Sequence, residues 1–185
     1  NLKIGMKMIL AFAFVSAIAL VIGIVGLNGT SELNDVTEDI AGVRVPRIES
    51  LMGIAEAQTA ILAGERGLIN RRMMEPSLRR AQYDYIDDAQ KRAGKYWELY
   101  MGIPRTAEEQ EKWDAFVPKW DEWKKNNLQV IELSRQKDAM IASGMTLEDP
   151  QIAEIDKKVF EAAALSKAAL LESRKALDVV VSGNI

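Results

Sequence analysis

The sequence predicts an all-α protein: an up-down-up-down antiparallel four-helix bundle with an N-terminal transmembrane helix continuous with the first bundle helix. Three observations predict it. No ionisable residue lies between Lys7 and Glu32, and Met8 to Leu27 is one apolar run broken only by Ser16. The remaining chain spaces its large apolar residues three and four apart, with no sustained alternation of the kind a strand needs. Three short clusters of Pro, Gly and capping residues divide that remainder into long segments, and short connections force neighbouring helices to run antiparallel.

The membrane element comes first. As a helix, the apolar run rises about 30 Å, the thickness of a bilayer hydrocarbon core. A cleavable leader has a shorter apolar core, of about 7–15 residues, followed by a small-residue cleavage site. Here the helical pattern continues past the run, and the run is apolar on every face, unlike a helix on the surface of a soluble protein. Lys3 and Lys7 precede it, whereas Glu32, Asp35, Glu38 and Asp39 follow. Positive residues stay on the cytoplasmic side. The expected order is therefore a cytoplasmic N-terminus at 1–7, a transmembrane helix at 8–27 and a periplasmic domain at 28–185, on the inner (cytoplasmic) membrane. The apolar end, Val179-Val180-Val181-Ser182-Gly183, reads as the approach to a second span beyond Ile185.

The bundle helices follow in order at about 7–74, 77–101, 107–143 and 150–183. Pro76 suits the first turn of the second helix. Gly102 suits a left-handed position after that helix, and Thr106 with Glu109 forms a capping box for the third. Gly144 closes the third helix, and Asp149 with Pro150 at its first position caps the fourth. Trp113, Phe116, Trp120, Trp123 and Val130 form one stripe, and Ile152, Ile155, Val159, Ala162 and Ala169 another. Both read as the seam of helices packed at about 20°. Pro46, four residues after Gly42, and Pro118 each remove a backbone hydrogen bond and are expected to bend their helices. The second helix is about 38 Å long and the third and fourth exceed about 50 Å. Either the third protrudes past the tip, or the loop before it stops short of the membrane.

Several seam positions are polar: Gln58, Glu65, Asn127 and Ser134. Unpaired, they are costly to bury, so they suit a bundle that is wet, marginal or completed by a partner.

Composition excludes much chemistry. The chain has no cysteine and no histidine, which removes thiol chemistry, Cys/His zinc sites and a Ser-His-Asp triad. It has no glycine-rich phosphate loop. Twenty-seven acidic residues against 24 basic give a net charge of −3, which argues against nucleic acid as a partner. Carboxylates spread along helical faces read as solvated surface rather than a metal or glycosidase site. No cofactor, no metal and no enzymatic activity are expected.

The opening Leu2-Lys3-Ile4-Gly5-Met6-Lys7-Met8-Ile9-Leu10-Ala11-Phe12 and the stretch Glu56-Ala57-Gln58-Thr59-Ala60-Ile61-Leu62-Ala63-Gly64-Glu65-Arg66-Gly67-Leu68 resemble methyl-accepting chemotaxis proteins with a four-helix-bundle sensor domain. The resemblance implies a periplasmic domain between two membrane spans and a parallel homodimer through the first helix, with positions 51 and 58 as cross-linking sites. It also implies a small ligand at the membrane-distal end and a piston-like shift of the fourth helix. In amino-acid-sensing members, arginines near the top of the first helix hold ligand carboxylates across the dimer interface. Arg66, Arg71 and Arg72 lie in the corresponding region here. A guanidinium offers a planar fork to a carboxylate. The bland alternative is ordinary surface, with Glu65 pairing Arg66 and Glu75 pairing Arg71 or Arg72. Arg79 and Arg80 sit at the same end as weaker candidates, and Thr146 is the candidate hydroxyl near the fourth helix.

The expected function is thus the extracytoplasmic ligand-sensing module of a transmembrane chemoreceptor. Its expected partners are the membrane, a second copy, and either an amino acid or organic acid or a periplasmic binding protein. The same module attached to a histidine kinase or diguanylate cyclase, and a ligand-free structural bundle, are the competing readings.

Overall fold

The computed structural model describes residues 4–183, together with all their side chains except those of Ala11 and Asp35. Leu2, Lys3 and Ile185 lie outside the described residues, as does the Asp35 side chain. Among the described residues five α-helices follow one another: α1 (Ile4–Asp39), α2 (Val45–Ile69), α3 (Pro76–Met101), α4 (Ala107–Ala142) and α5 (Pro150–Ser182). The chain divides into two compact units, residues 1–43 and 44–185.

The first unit is essentially α1. Its described apolar side chains, among them Phe12, Leu20 and Ile22, are exposed. Among the described residues, one helix is long and apolar enough to cross a membrane. The hydroxyls of Thr30 and Thr37 donate back to the carbonyls of Gly26 and Leu33, which satisfies them without a partner from outside the helix. Between α1 and α2 the backbone widens into a π-helical turn at Ile40–Arg44. Pro46 explains it: proline has no N–H to give to Gly42, and its ring crowds that carbonyl. The backbone disruption expected at Pro46 takes the form of a local change of helix type.

The second unit is the four-helix bundle. Gly53 faces Tyr96, Gly64 faces Ile86 and Gly67 faces Gln82, so α2 and α3 run antiparallel. Lys112 lies beside Gly183 and Lys137 beside Asp156, so α4 and α5 do the same. Arg47 meets Glu109 and Glu65 meets Asn127, both pairs 62 residues apart. That constant offset makes α2 and α4 parallel across the diagonal. A Cβ on Gly53 or Gly64 would overlap the Tyr96 ring or Ile86, which is why α2 approaches α3 so closely. The α2–α3 and α4–α5 pairs pack tightly, whereas indole rings hold α3 away from α4.

The aromatic stripe is core. Trp113, Phe116 and Trp123 are buried, Trp97 packs against Trp113 with centroids 4.5 Å apart and the rings tilted by 56°, and Tyr100 lies 4.3 Å from the same ring. Tyr100 stands level with Trp113, so the first six residues of α4 extend about 9 Å beyond the end of α3. The length mismatch is taken up there, by α3 stopping short, and not by a protruding tip.

Three local expectations need correction. The helix expected to reach residue 74 ends at Ile69, where Asn70 turns extended and its N–H closes on Arg66 and Gly67. Gly102 is right-handed, with φ −75°; the one positive φ among the described residues belongs to Gly144, at 103°. Asp149 does not cap α5 with its side chain, because Oδ2 instead accepts from the backbone N–H of Thr146 at 2.6 Å. The Thr106–Glu109 capping box forms as its spacing requires.

Candidate functional site

Three of the four polar seam residues are paired within the chain. Gln58 donates through Nε2 to the Ser173 hydroxyl at 2.8 Å. Seven residues on, Glu65 is 1 % exposed and accepts at Oε2 from Asn127 Nδ2 at 2.7 Å and from the Ser166 hydroxyl at 2.8 Å. Gln90 of α3 reaches the carbonyl oxygen of Asn127 at 3.4 Å. One layer thus joins all four helices. Burial raises the pKa of the Glu65 carboxyl above its ordinary 4.5, against the lowering effect of Asn127, Ser166 and Arg66. Ser134 is also fully buried, and its hydroxyl oxygen has no hydrogen-bond partner.

Beyond that layer lies the end of the bundle where α2 and α4 stop and α3 and α5 begin. Two ionic clusters close it. Lys137, 1 % exposed, places Nζ 2.5 Å from Asp156 Oδ1, and Arg71 places Nε 3.0 Å from Oδ2 of the same carboxylate. Arg79, also buried, donates through Nε to Asp138 at 2.8 Å and through its terminal nitrogens to the carbonyls of Leu68 and Ser134. Tyr83 donates its hydroxyl to Asp138 at 2.6 Å. Burial and the neighbouring Asp138 carboxylate both push the pKa of that phenol up. A buried pair that loses one member leaves a stranded charge, which costs far more than the intact pair contributes. These clusters therefore fix how the four helix ends meet.

The three arginines singled out from the sequence fall on two different elements. Arg66 is exposed on the last turns of α2. Arg71 and Arg72 lie in the turn after Ile69, so a helical angle does not relate them to Arg66. Arg71 bridges to Asp156, while its side chain remains half exposed. Arg72 is exposed, and its backbone N–H is held by Asn70 Oδ1 at 3.0 Å. The bland pairings do not form. Glu65 points into the core, and Glu75 caps α3 by accepting from the N–H groups of Ser77 and Leu78. Those bonds, with the Ser77 hydroxyl first, hold the Glu75 carboxyl below its usual pKa. Arg79 belongs to the buried cluster, Arg80 is exposed, and Thr146 stays in the α4–α5 turn.

Lys137 and Asp156 escaped notice in the sequence, although a signal for Lys137 existed. The stripe Trp113, Phe116, Trp120, Trp123, Asn127, Val130, Ser134 continues by the same rhythm to Lys137, so a cation occupies a seam position. An ionisable group on a seam needs a buried partner. At the opposite end Arg47 fills the same role. It lies 2.5 Å from Glu109 and also donates to the Pro104 carbonyl. Leu51 and Gln58, expected to face a second copy, are wholly buried inside their own bundle. Exposed positions of α2 such as Met52 and Thr59 face outward instead.

No group of three or more carboxylates among the described residues is placed to hold a metal ion. A family model described as a four helix bundle sensory module for signal transduction matches residues 1–169. No curated protein and no solved structure matches the chain.

Proposed function

The chain belongs to the four-helix-bundle sensory modules of signal transduction, and from that premise we propose that it is the extracytoplasmic ligand-sensing part of a transmembrane chemoreceptor. The apolar helix α1 is the anchor, with its N-terminus in the cytoplasm and the bundle in the periplasm. Two copies associate through the outward face of α2. Ligand binding displaces α5 slightly along its axis, and that displacement crosses the membrane to a signalling region.

The ligand site is the arginine end of the bundle. The observation that carries this reading is the half-exposed Arg71 bridged to Asp156, whose other oxygen Lys137 holds from the interior. Asp156 lies in the second turn of α5. An incoming carboxylate that draws Arg71 outward, together with Arg66 and Arg72, weakens one of the two bonds that hold this end of α5. A charged ligand is thus coupled to the helix that carries the signal. An amino acid or organic acid supplies the required carboxylate directly.

The test is calorimetry on the full chain in lipid nanodiscs, with aspartate and succinate as probes. Removing one charged hydrogen bond costs about 1.5–3 kcal/mol, so Arg66→Ala and Arg72→Ala should each weaken binding about 10- to 100-fold. If either probe binds and all the single arginine variants keep wild-type affinity, the arginines are solvated surface. Cysteines at positions 52 and 59 should cross-link to their own copies in membranes. Absence of cross-links along the whole outward face of α2 removes the dimer.

A further inference from the structure

The tryptophans that hold α3 away from α4 leave a cleft of about 440 Å³ between the two helices. That is the size of a small-molecule site, and well above the about 30 Å³ occupied by one water. Trp97 of α3 and Trp120 and Trp123 of α4 form its walls, and Ile61 and Asn127 form part of its floor. Glu98, Asp121 and Lys124 stand at its exposed rim. Neither carboxylate forms an ion pair with any described residue. Gln90 commits its amide nitrogen to Asn127, which leaves its own carbonyl oxygen to accept. The cleft therefore offers indole rings, two unpaired carboxylates and an amide oxygen, against the single cation of Lys124.

We infer that this cleft binds a small organic cation, an amine or a quaternary ammonium compound, at a site separate from the arginine end. Indole is the aromatic ring that attracts cations most strongly, and carboxylates at the mouth add to the same preference. Gly94 adds to the room in the cleft. It lies on the α3 wall, where a Cβ would meet nothing within 4 Å. Glycine inside a helix is about 1 kcal/mol worse than alanine, and here no neighbour demands its absence of a side chain. What glycine provides at this position is open space. The floor is also wired inward: Asn127 donates to Glu65, which accepts from Ser166 of α5. An occupant that reorders Gln90 and Asn127 acts on bonds that reach α5.

The test uses the full chain in lipid nanodiscs and its tryptophan fluorescence, since three of the four tryptophans line the cleft. The probes are choline, its neutral isostere 3,3-dimethylbutan-1-ol and the anion 3,3-dimethylbutanoate. Choline should give a saturable change, with the alcohol at least about tenfold weaker and the anion weaker still. Gly94→Leu should abolish the choline response while the circular dichroism and the melting temperature hold or improve. The Glu98→Gln, Asp121→Asn double variant should weaken choline by about tenfold or more and leave the alcohol unchanged, which keeps the inference testable if the leucine variant misfolds. No saturable choline response, equal binding of the alcohol, tighter binding of the anion, or a folded Gly94→Leu chain with wild-type affinity would each overturn it.

Discussion

The two halves of the bundle are built from different materials. Where α3 ends and α4 begins, Trp97, Tyr100, Trp113, Phe116 and Trp120 form a contiguous aromatic stack with neighbouring centroids 4.3–6.0 Å apart. Where α2 ends and α5 begins, the interior holds Lys137, Asp156 and Arg79 around a small apolar cluster of Val130, Val159, Ala162 and Ala163. The Glu65–Asn127–Ser166 layer lies between them. Interlocked aromatic rings make many redundant contacts with preferred geometries, so they resist small displacements. An ion cluster has few contacts, each strong and each dependent on its partner. The aromatic end adds one buried ion pair, Arg47–Glu109, to its many ring contacts, whereas the other end is held largely by a few releasable bonds. The carboxylate site proposed above lies at the second end, where an incoming anion can compete for a charge already held by a partner.

The contrast can be broken most severely at Trp113. Trp113→Ala should cost about 3–5 kcal/mol in chemical denaturation, through lost burial and the cavity left behind. Lys137→Met should cost about 2–3 kcal/mol, because Asp156 keeps only the half-exposed Arg71. The double variant Lys137→Met, Asp156→Leu should recover most of that loss, since no stranded charge remains. A double variant as unstable as the single one would mean that the ion cluster contributes net stability, contrary to this account.

Glu65 sharpens the comparison through pH. Burial raises its carboxyl pKa, so the folded state favours the protonated form. Its contribution to stability is full below the ordinary pKa of 4.5 and is lost as the pH rises through the folded value. Glu65→Gln should therefore match the wild type in its pH trend below about 4.5. Above that, the variant should gain stability relative to the wild type, as read from melting temperatures across pH 4 to 8. A constant difference across the range would contradict the assignment. The smallest effect is expected at Arg72. Arg72→Ala should change stability by less than about 0.5 kcal/mol, because the exposed side chain makes no hydrogen bond to the bundle and only its backbone N–H is held.

Much of this architecture was legible in the sequence, for identifiable reasons. The long apolar helix α1 follows from the charge-free run, and helix number and direction follow from Pro76, Pro104, Gly144 and Pro150. The aromatic stripe and the Thr106–Glu109 box are local patterns whose physics does not depend on distant residues. Legibility failed where a distant partner decides. The end of α2 at Ile69 is set by no proline or glycine, and Arg71 reaches Asp156 across 85 residues. Glu65 was legible as a seam position from the rhythm it shares with Gln58, but its partners, Asn127 and Ser166, lie 62 and 101 residues away. The cleft beside Gly94 is invisible in a pattern of spacings, because the stripe that builds the core also builds its walls.

Hydrogen exchange of the full chain in lipid nanodiscs tests the central claim of a stiff end and a releasable end most directly. Amides from Trp97 to Tyr100 and from Trp113 to Trp123 should exchange only through global unfolding. Those of residues 66–80 and 134–156 should open at a lower free energy, the pattern expected when local opening precedes unfolding. Uniform protection along the bundle, or earlier opening of the aromatic half, would contradict the account.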